Sequence, residues 1–248
     1  MRGYEKAGVV EQVRAAGGEI YAVTSEPHTL AREAHADWET AFEHVGDPHH
    51  EIEAACRERD WLSLFSATWA DDLHGEDDEW ISHPKGYYQP GVLVVDRDGR
   101  VLYRWRCQPS YSNTGGATAR PTPEYVWRQV EAARAEPAGA ADAPLDLDPE
   151  LDAGPTPFPI FVMILMANGW FLRPRLFTYR KGQGGIGGRL RMAMLRLAVF
   201  VAAWIVALFW LPTVVVALAF GTWLAIAIPG IREIVRGFQD VAPDEEPA

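Results

Sequence analysis

LAVFVAAWIVALFWLPTVVVALAFGTWLAIAIPGI, residues Leu197–Ile231, is a run of 35 residues without a formal charge. A hydrocarbon core about 30 Å thick needs roughly 20 apolar residues in a helix. The run is too long for one ordinary crossing and a little short for two crossings with a generous loop. Pro212 near its middle removes a backbone donor and clashes with the preceding turn, which favours a break. Arg189, Arg191 and Arg196 stand before the run, and Arg232 and Arg236 stand after it. Basic residues stay preferentially on the cytoplasmic side. Basic flanks at both ends therefore predict two helices folded back at Trp210–Thr213, with both termini on one side. The competing arrangement is one long, kinked, tilted helix. Either way the lipid bilayer is the first partner, and the sequence predicts an integral protein of the cell inner membrane with its soluble part in the cytoplasm.

Charge divides the chain near the same place. Up to Pro155 there are 14 Lys/Arg and 29 Asp/Glu, and from Thr156 onward there are 9 and 5. An acidic front half excludes a nucleic-acid partner, whose phosphates need a basic surface. The amino terminus has no apolar core of signal-peptide length, and Glu5, Lys6 and Glu11 interrupt it. Two cysteines, Cys56 and Cys107, make neither a disulfide framework nor a zinc spacing.

The front half reads as alternating helix and strand. Tyr4–Ala16 is a helix stopped by Gly17-Gly18, and Glu19–Thr24 a strand. Ser25-Glu26-Pro27-His28 opens a helix to about Ala36, and Thr40–Val45 is a second strand. His49–Arg59 is a helix burying Ile52, Ala55 and Cys56. Gly91–Asp96 and Arg100–Arg106 form a hairpin turned by Arg97-Asp98-Gly99, with Gly99 supplying the positive φ. Thr122–Ala135 is a helix with Thr122 as its cap and Pro123 at its first position. The pattern predicts an α/β domain with helices on both faces of a mixed sheet over residues 1–135. Residues 136–157, rich in Ala, Pro and Asp, read as an extended tether. Residues 158–181 open with 15 mostly apolar residues, Phe158–Leu172, too short to span comfortably and so interfacial or re-entrant, with a third crossing as the alternative. Residues 189–236 are the hairpin and 237–248 an acidic tail.

Several polar clusters have plain readings. His44, His49 and His50 around Asp47, and His74 among Asp71, Asp72, Glu76, Asp77, Asp78 and Glu79, fit no zinc or calcium spacing and read as solvated loops. Gly182–Gly188 lacks a preceding strand and reads as a flexible joint rather than a phosphate loop. No metal site and no cofactor is expected.

The order EIYAVTSEP, GDPHHEI with its helix, QPGVLVVDRDGRVLYRWR and a closing helix resembles the thioredoxin fold. More narrowly it resembles the peroxiredoxin-like group of alkyl hydroperoxide reductase and thiol-specific antioxidant proteins. Thr24-Ser25, Asp47-Pro48 and Asp96-Arg97-Asp98-Gly99 fall at that family's characteristic places. Pro90 stands where the fold puts a cis-proline beside its active site. The resemblance implies a thioredoxin-like α/β/α domain, here incomplete, with a redox or antioxidant role and a thiol reductant or membrane protein as partner. It makes Thr24, Ser25, Pro90, Asn113 and Arg120 candidates for the wall of a site. In that family the nucleophile is a cysteine thiolate at a helix amino terminus, where its pKa is lowered. The corresponding strand and cysteine would precede Met1, which points to a start placed too late or to a degenerate domain. Cys107, beside Arg104 and Arg106, is then the remaining thiol candidate for catalysis. The non-catalytic alternative is a membrane-anchored adaptor, and a less favoured one a membrane-shaping protein built on the hairpin.

Overall fold

A computed structural model describes residues 2–67, 85–107, 120–137, 139–152, 157–177 and 186–239. The helix expected over Tyr4–Ala16 is two, α1 (Arg2–Lys6) and α2 (Val9–Ala15), because Gly8 between them takes a left-handed conformation at φ 66°. Helix α2 ends as the glycine pair dictates. Gly17 at φ 80° lets its N–H reach the Arg14 carbonyl, and the Gly18 N–H reaches Val13.

Strand β1 (Tyr21–Thr24) runs parallel to β2 (Glu43–Gly46), joined by α3 (His28–Trp38), which packs on β2. Helix α4 (Glu51–Glu58) follows, and then β3 (Ser66–Ala67) pairs with β4 (Tyr87–Tyr88). Strands β5 (Gly91–Val95) and β6 (Val101–Arg106) form the expected antiparallel hairpin around Gly99 at φ 88°. Helix α5 (Pro123–Arg134) lies on β6, with the Thr122 hydroxyl accepting from the Tyr125 N–H as its cap. Among the described residues the ladders stay separate, three pairs rather than one mixed sheet, and β1 and β5 do not pair with each other. The region is mixed α/β with small sheets. Its main core lies between β6 and α5, where Tyr103, Trp105 and Cys107 meet Val126 and Val130.

The tether expected over 136–157 is extended, as its composition implies, but much of it is docked. Leu145 bridges Arg104 in parallel, Ala143 N–H donates to Val101 and Asp146 N–H to Arg104. The Asp146 carboxylate accepts from the hydroxyls of Tyr103 at 2.9 Å and Tyr125 at 3.0 Å. Further on, Leu151 bridges Pro121, and Glu150 pairs with Arg128 at 2.7 Å. Residues 139–152 thus form a strap along the edge of β6 that faces away from β5. Edge backbone groups of β6 find partners there, which is why a segment unable to form its own core is still ordered.

The carboxyl-terminal part holds α6 (Phe158–Asn168), α7 (Ile186–Trp210) and α8 (Thr213–Gln239). The break falls at Leu211-Pro212, where the Pro212 carbonyl starts α8 by accepting from Val215 and Val216. Trp204 meets Phe220 and Phe200 meets Trp223, so the two helices run antiparallel. Both α7 and α8 are long and apolar enough to cross a membrane. Their apolar surface is outward, with Phe209 83% exposed, which a buried core helix would not show. The antiparallel pairing brings Arg189, Arg191, Arg232 and Arg236 to one end of the hairpin. Continued by helical steps it sets Arg191 level with Arg232.

Candidate functional site

The carboxyl ends of parallel strands are where α/β proteins usually gather polar groups. Here β1 ends at Thr24 and β2 at Gly46, and the next residues form a buried polar cluster. Asp47 donates its N–H to the Thr24 carbonyl at 2.7 Å, extending the register by one step. Its carboxylate caps α4, accepting from the N–H groups of Glu51, Ile52 and Glu53 at 2.7, 3.0 and 3.3 Å. It also accepts from the Tyr88 hydroxyl at 2.5 Å. Burial, then the Asp47 carboxylate, push the Tyr88 phenol well above its ordinary pKa. His50, at φ 56°, lies tilted against Tyr88 with ring centres 4.3 Å apart and hydrogen-bonds the Gly86 carbonyl through Nε2. Ser25 Oγ accepts from the Tyr88 N–H, and Thr24 Oγ1 from the Glu26 N–H.

Gly46 lets these loops close. A Cβ there would fall 2.5 Å from the Glu26 carbonyl oxygen and would also strike the His28 backbone. Burial raises the Glu26 pKa to about 7. The sign follows directly. Between pH 4.5 and 7 the folded state holds a proton that the unfolded state releases, so stability falls as pH rises through that window. A shift this large in a partly solvated group is worth about 1–2 kcal/mol. Glu26→Gln is therefore expected to stabilise the protein by that amount at pH 8 and to change nothing below pH 4.5, read from denaturation midpoints across pH.

The structure splits the sequence candidates into two groups. Thr24 and Ser25 stand at the cluster just described. Pro90 and Cys107 lie together at the start of β5, where the Cys107 N–H donates to the Pro90 carbonyl at 2.8 Å. The Gln89–Pro90 peptide is trans, not cis. Arg120 clasps Asp152 through its backbone, and its charge reaches Cys107. Asn113 lies outside the described residues, as do Asp71–Glu79 and Gly182–Gly185.

Cys107 corrects the sequence reading. It is 0% exposed, and burial raises its thiol to about 12 despite the opposing charge of Arg120. Arg104 and Arg106 do not help it. Successive strand residues face opposite sides, so 103, 105 and 107 enter the core while 104 and 106 turn away. Arg104 donates to the Asp60 and Trp61 carbonyls, and Arg106 to Ser63 Oγ at 2.6 Å. Cys56, expected in the core, is half-buried, and its thiol is raised by burial and then by Glu53. Helix α4 turns Glu53 inward, where it pairs with Arg57, and leaves Ile52 38% exposed. His44 and His50, read as solvated, are buried, and His44 bonds Thr40 Oγ1 at 2.9 Å. Among the described residues no group of three or more His, Cys, Asp or Glu is placed to hold a metal ion.

The residues that sequence reasoning missed are Tyr88, Glu26 and Asp146. Their signal was thin, a Tyr pair before Q-P and lone acids in polar loops. No known protein family, curated protein or solved structure matches this chain.

Proposed function

We propose that the chain is a membrane-anchored protein whose soluble part is a thioredoxin-like domain of the peroxiredoxin-like kind. The domain works at the cytoplasmic face of the inner membrane as an interaction module rather than through its own thiols. The chain order β1-α3-β2 followed by the β5-β6 hairpin and α5 supports that domain type, although the ladders pair separately. The arginines gathered at one end of the α7-α8 hairpin support cytoplasmic termini. The observation that carries the non-catalytic reading is the placement of sulfur. Cys107 is sealed in the core with its thiol near pKa 12, and Cys56 sits within α4 among carboxylates. Neither offers the lowered pKa that thiolate attack on a peroxide requires.

The redox reading, an antioxidant thiol protein, is favoured by one different observation. Cys56 is partly accessible and stands on the helix that Asp47 caps beside Tyr88 and Ser25. Peroxide consumption by the intact chain in membrane vesicles separates the two. The expected rate is no faster than that of an ordinary free thiol, unchanged in Cys56→Ser and in Cys107→Ser. Rapid turnover abolished by Cys56→Ser would install the redox protein instead.

A further inference from the structure

We propose that residues 157–177 are a re-entrant element that dips into one leaflet from the arginine-rich end of the hairpin, turns within the lipid, and leaves on the same side. This rests on the membrane reading above and adds to it a third inserted element with Arg196 as its positioning residue. Helix α6 has 11 residues, all uncharged, and reaches about 16 Å, half of what a crossing needs. Helix α6 lies along α7 and shares a buried cluster with the low part of α8, Phe158, Phe161, Val162, Leu165 and Met166 with Ala227 and Ile234, and the half-buried Ile231 and Val235 beside them. Its end lies higher. Phe171 stacks on Phe200 with ring centres 3.9 Å apart, and the Trp223 indole N–H donates to the Phe171 carbonyl at 2.9 Å. Trp223 is nine residues before Arg232, about 13 Å deeper along α8.

The chain then turns back through two left-handed residues, Trp170 at φ 58° and Phe171 at φ 60°. Residues 173–177 return beside α6, with the Arg175 N–H bonded to the Leu165 carbonyl. Pro174 is fully buried against Gly230, where a Cβ would fall 2.5 Å from its Cδ. Irregular backbone survives at membrane depth only where its polar groups are met by protein. Several of those groups are met here. The Asn168 amide donates to the carbonyls of Arg175 and Leu176, and Trp223 serves Phe171.

Arg196 completes the fit. It stands five residues beyond Arg191, about 7 Å inside the charged boundary, where an unmet cation is costly. Its guanidinium lies 3.9 Å from the Trp170 ring centre, and Nη1 reaches the Ala167 and Asn168 carbonyls at 3.5 Å. Those carbonyls end α6, where the helix dipole is negative. At the tip Trp170 is 67% and Leu172 63% exposed. The exposed Arg173 beside them adjoins Pro174, which seats on Gly230 two residues from Arg232, so the long Arg173 side chain can carry its charge to that boundary. The occupant that covers Trp170 and Leu172 beside the uncharged hairpin is acyl chain.

The test uses the full chain in phosphatidylcholine–phosphatidylglycerol vesicles, in a Cys56→Ala background that keeps the sealed Cys107. Spin labels are placed at Leu172→Cys, at Phe209→Cys near the hairpin turn, and at Leu147→Cys on the exposed strap. The label at position 172 is expected to collide with oxygen and to be shielded from a water-soluble nickel chelate, while that at 147 meets the chelate freely. Arg196→Leu should make position 172 several-fold more accessible to the chelate and leave 209 as it was. Chelate reaching 172 as readily as 147, from either side, would overturn the re-entrant element. Equal shielding with and without Arg196 would overturn its positioning role. The Phe209 label reports on the hairpin itself. If chelate enclosed on the strap's side reached 209, the membrane reading and this inference would both fall.

Discussion

Asp47→Ala is expected to cost about 3 kcal/mol of folding stability. The side chain caps α4 through three N–H groups, and losing such a cap costs about 1–2 kcal/mol. Removing the carboxylate also strands the Tyr88 hydroxyl, worth a further 1–3 kcal/mol or so. Asparagine should rescue in part. One carboxylate oxygen takes the Glu51 N–H, and the other takes Ile52, Glu53 and Tyr88, so an amide oxygen in the second place keeps three bonds while the amide nitrogen faces the Glu51 N–H. Tyr88→Phe alone should cost about 1 kcal/mol, and the double variant should be less harmful than the two singles added, by about 1 kcal/mol. Denaturation midpoints of the four proteins decide it. A loss below about 0.5 kcal/mol for Asp47→Ala would mean that α4 is held by its packing rather than its cap.

The second large effect is expected at Asp146. Its carboxylate takes two phenol hydroxyls, from Tyr103 on β6 and Tyr125 on α5. Each hydrogen bond to a charged group contributes about 1.5–3 kcal/mol. Asp146→Ala should therefore release the strap locally, raising protease cleavage within residues 139–152 about 10- to 100-fold if cleavage tracks the open population. High pH should do the same. Burial and Asp146 raise the pKa values of both tyrosines, so the folded state keeps protons that the unfolded chain loses above about pH 10. The stabilisation is complete below that pH and is lost as pH climbs further, when phenolate would face carboxylate. Cleavage that stays at its neutral rate in Asp146→Ala would show that the backbone pairing of Leu145 and Leu151 holds the strap alone.

What was legible in the sequence followed from local rules. The charge-free run with Pro212, the D-R-D-G turn, and Thr122-Pro123 each rest on a few adjacent residues, and each element stands where expected. The second strand starts three residues later than expected because Thr40–Phe42 serves a loop around His44 instead of the ladder. Sites were harder. Tyr88 and Asp47 are 41 positions apart, and Tyr103 and Asp146 are 43, so no spacing rule could join them. Cys107 is a different case. The alternation that hides it and turns Arg104 and Arg106 away was present in VLYRWRC, but charge proximity along the chain outweighed facing. The strap was unreadable for another reason. Its residues form no core themselves and are ordered only by an edge strand that happens to be open.

That strap changes the leash between the α/β domain and the apolar helices α6–α8. If residues 136–157 hung free, the domain could wander tens of ångströms from its anchor. With the chain pinned as far as Asp152, only residues 153–157 separate the domain from α6. Five residues cannot stretch beyond about 18 Å. With α7 and α8 in a bilayer as proposed, the point where the domain is attached stays within about that distance of the lipid, and its orientation is restricted along with its height. On that proposal a binding partner would approach laterally, within the plane, and unfastening the strap would give the domain both altitude and rotation. The same hydrogen bonds that finish the edge of a small sheet therefore set how far the molecule can look for what it binds.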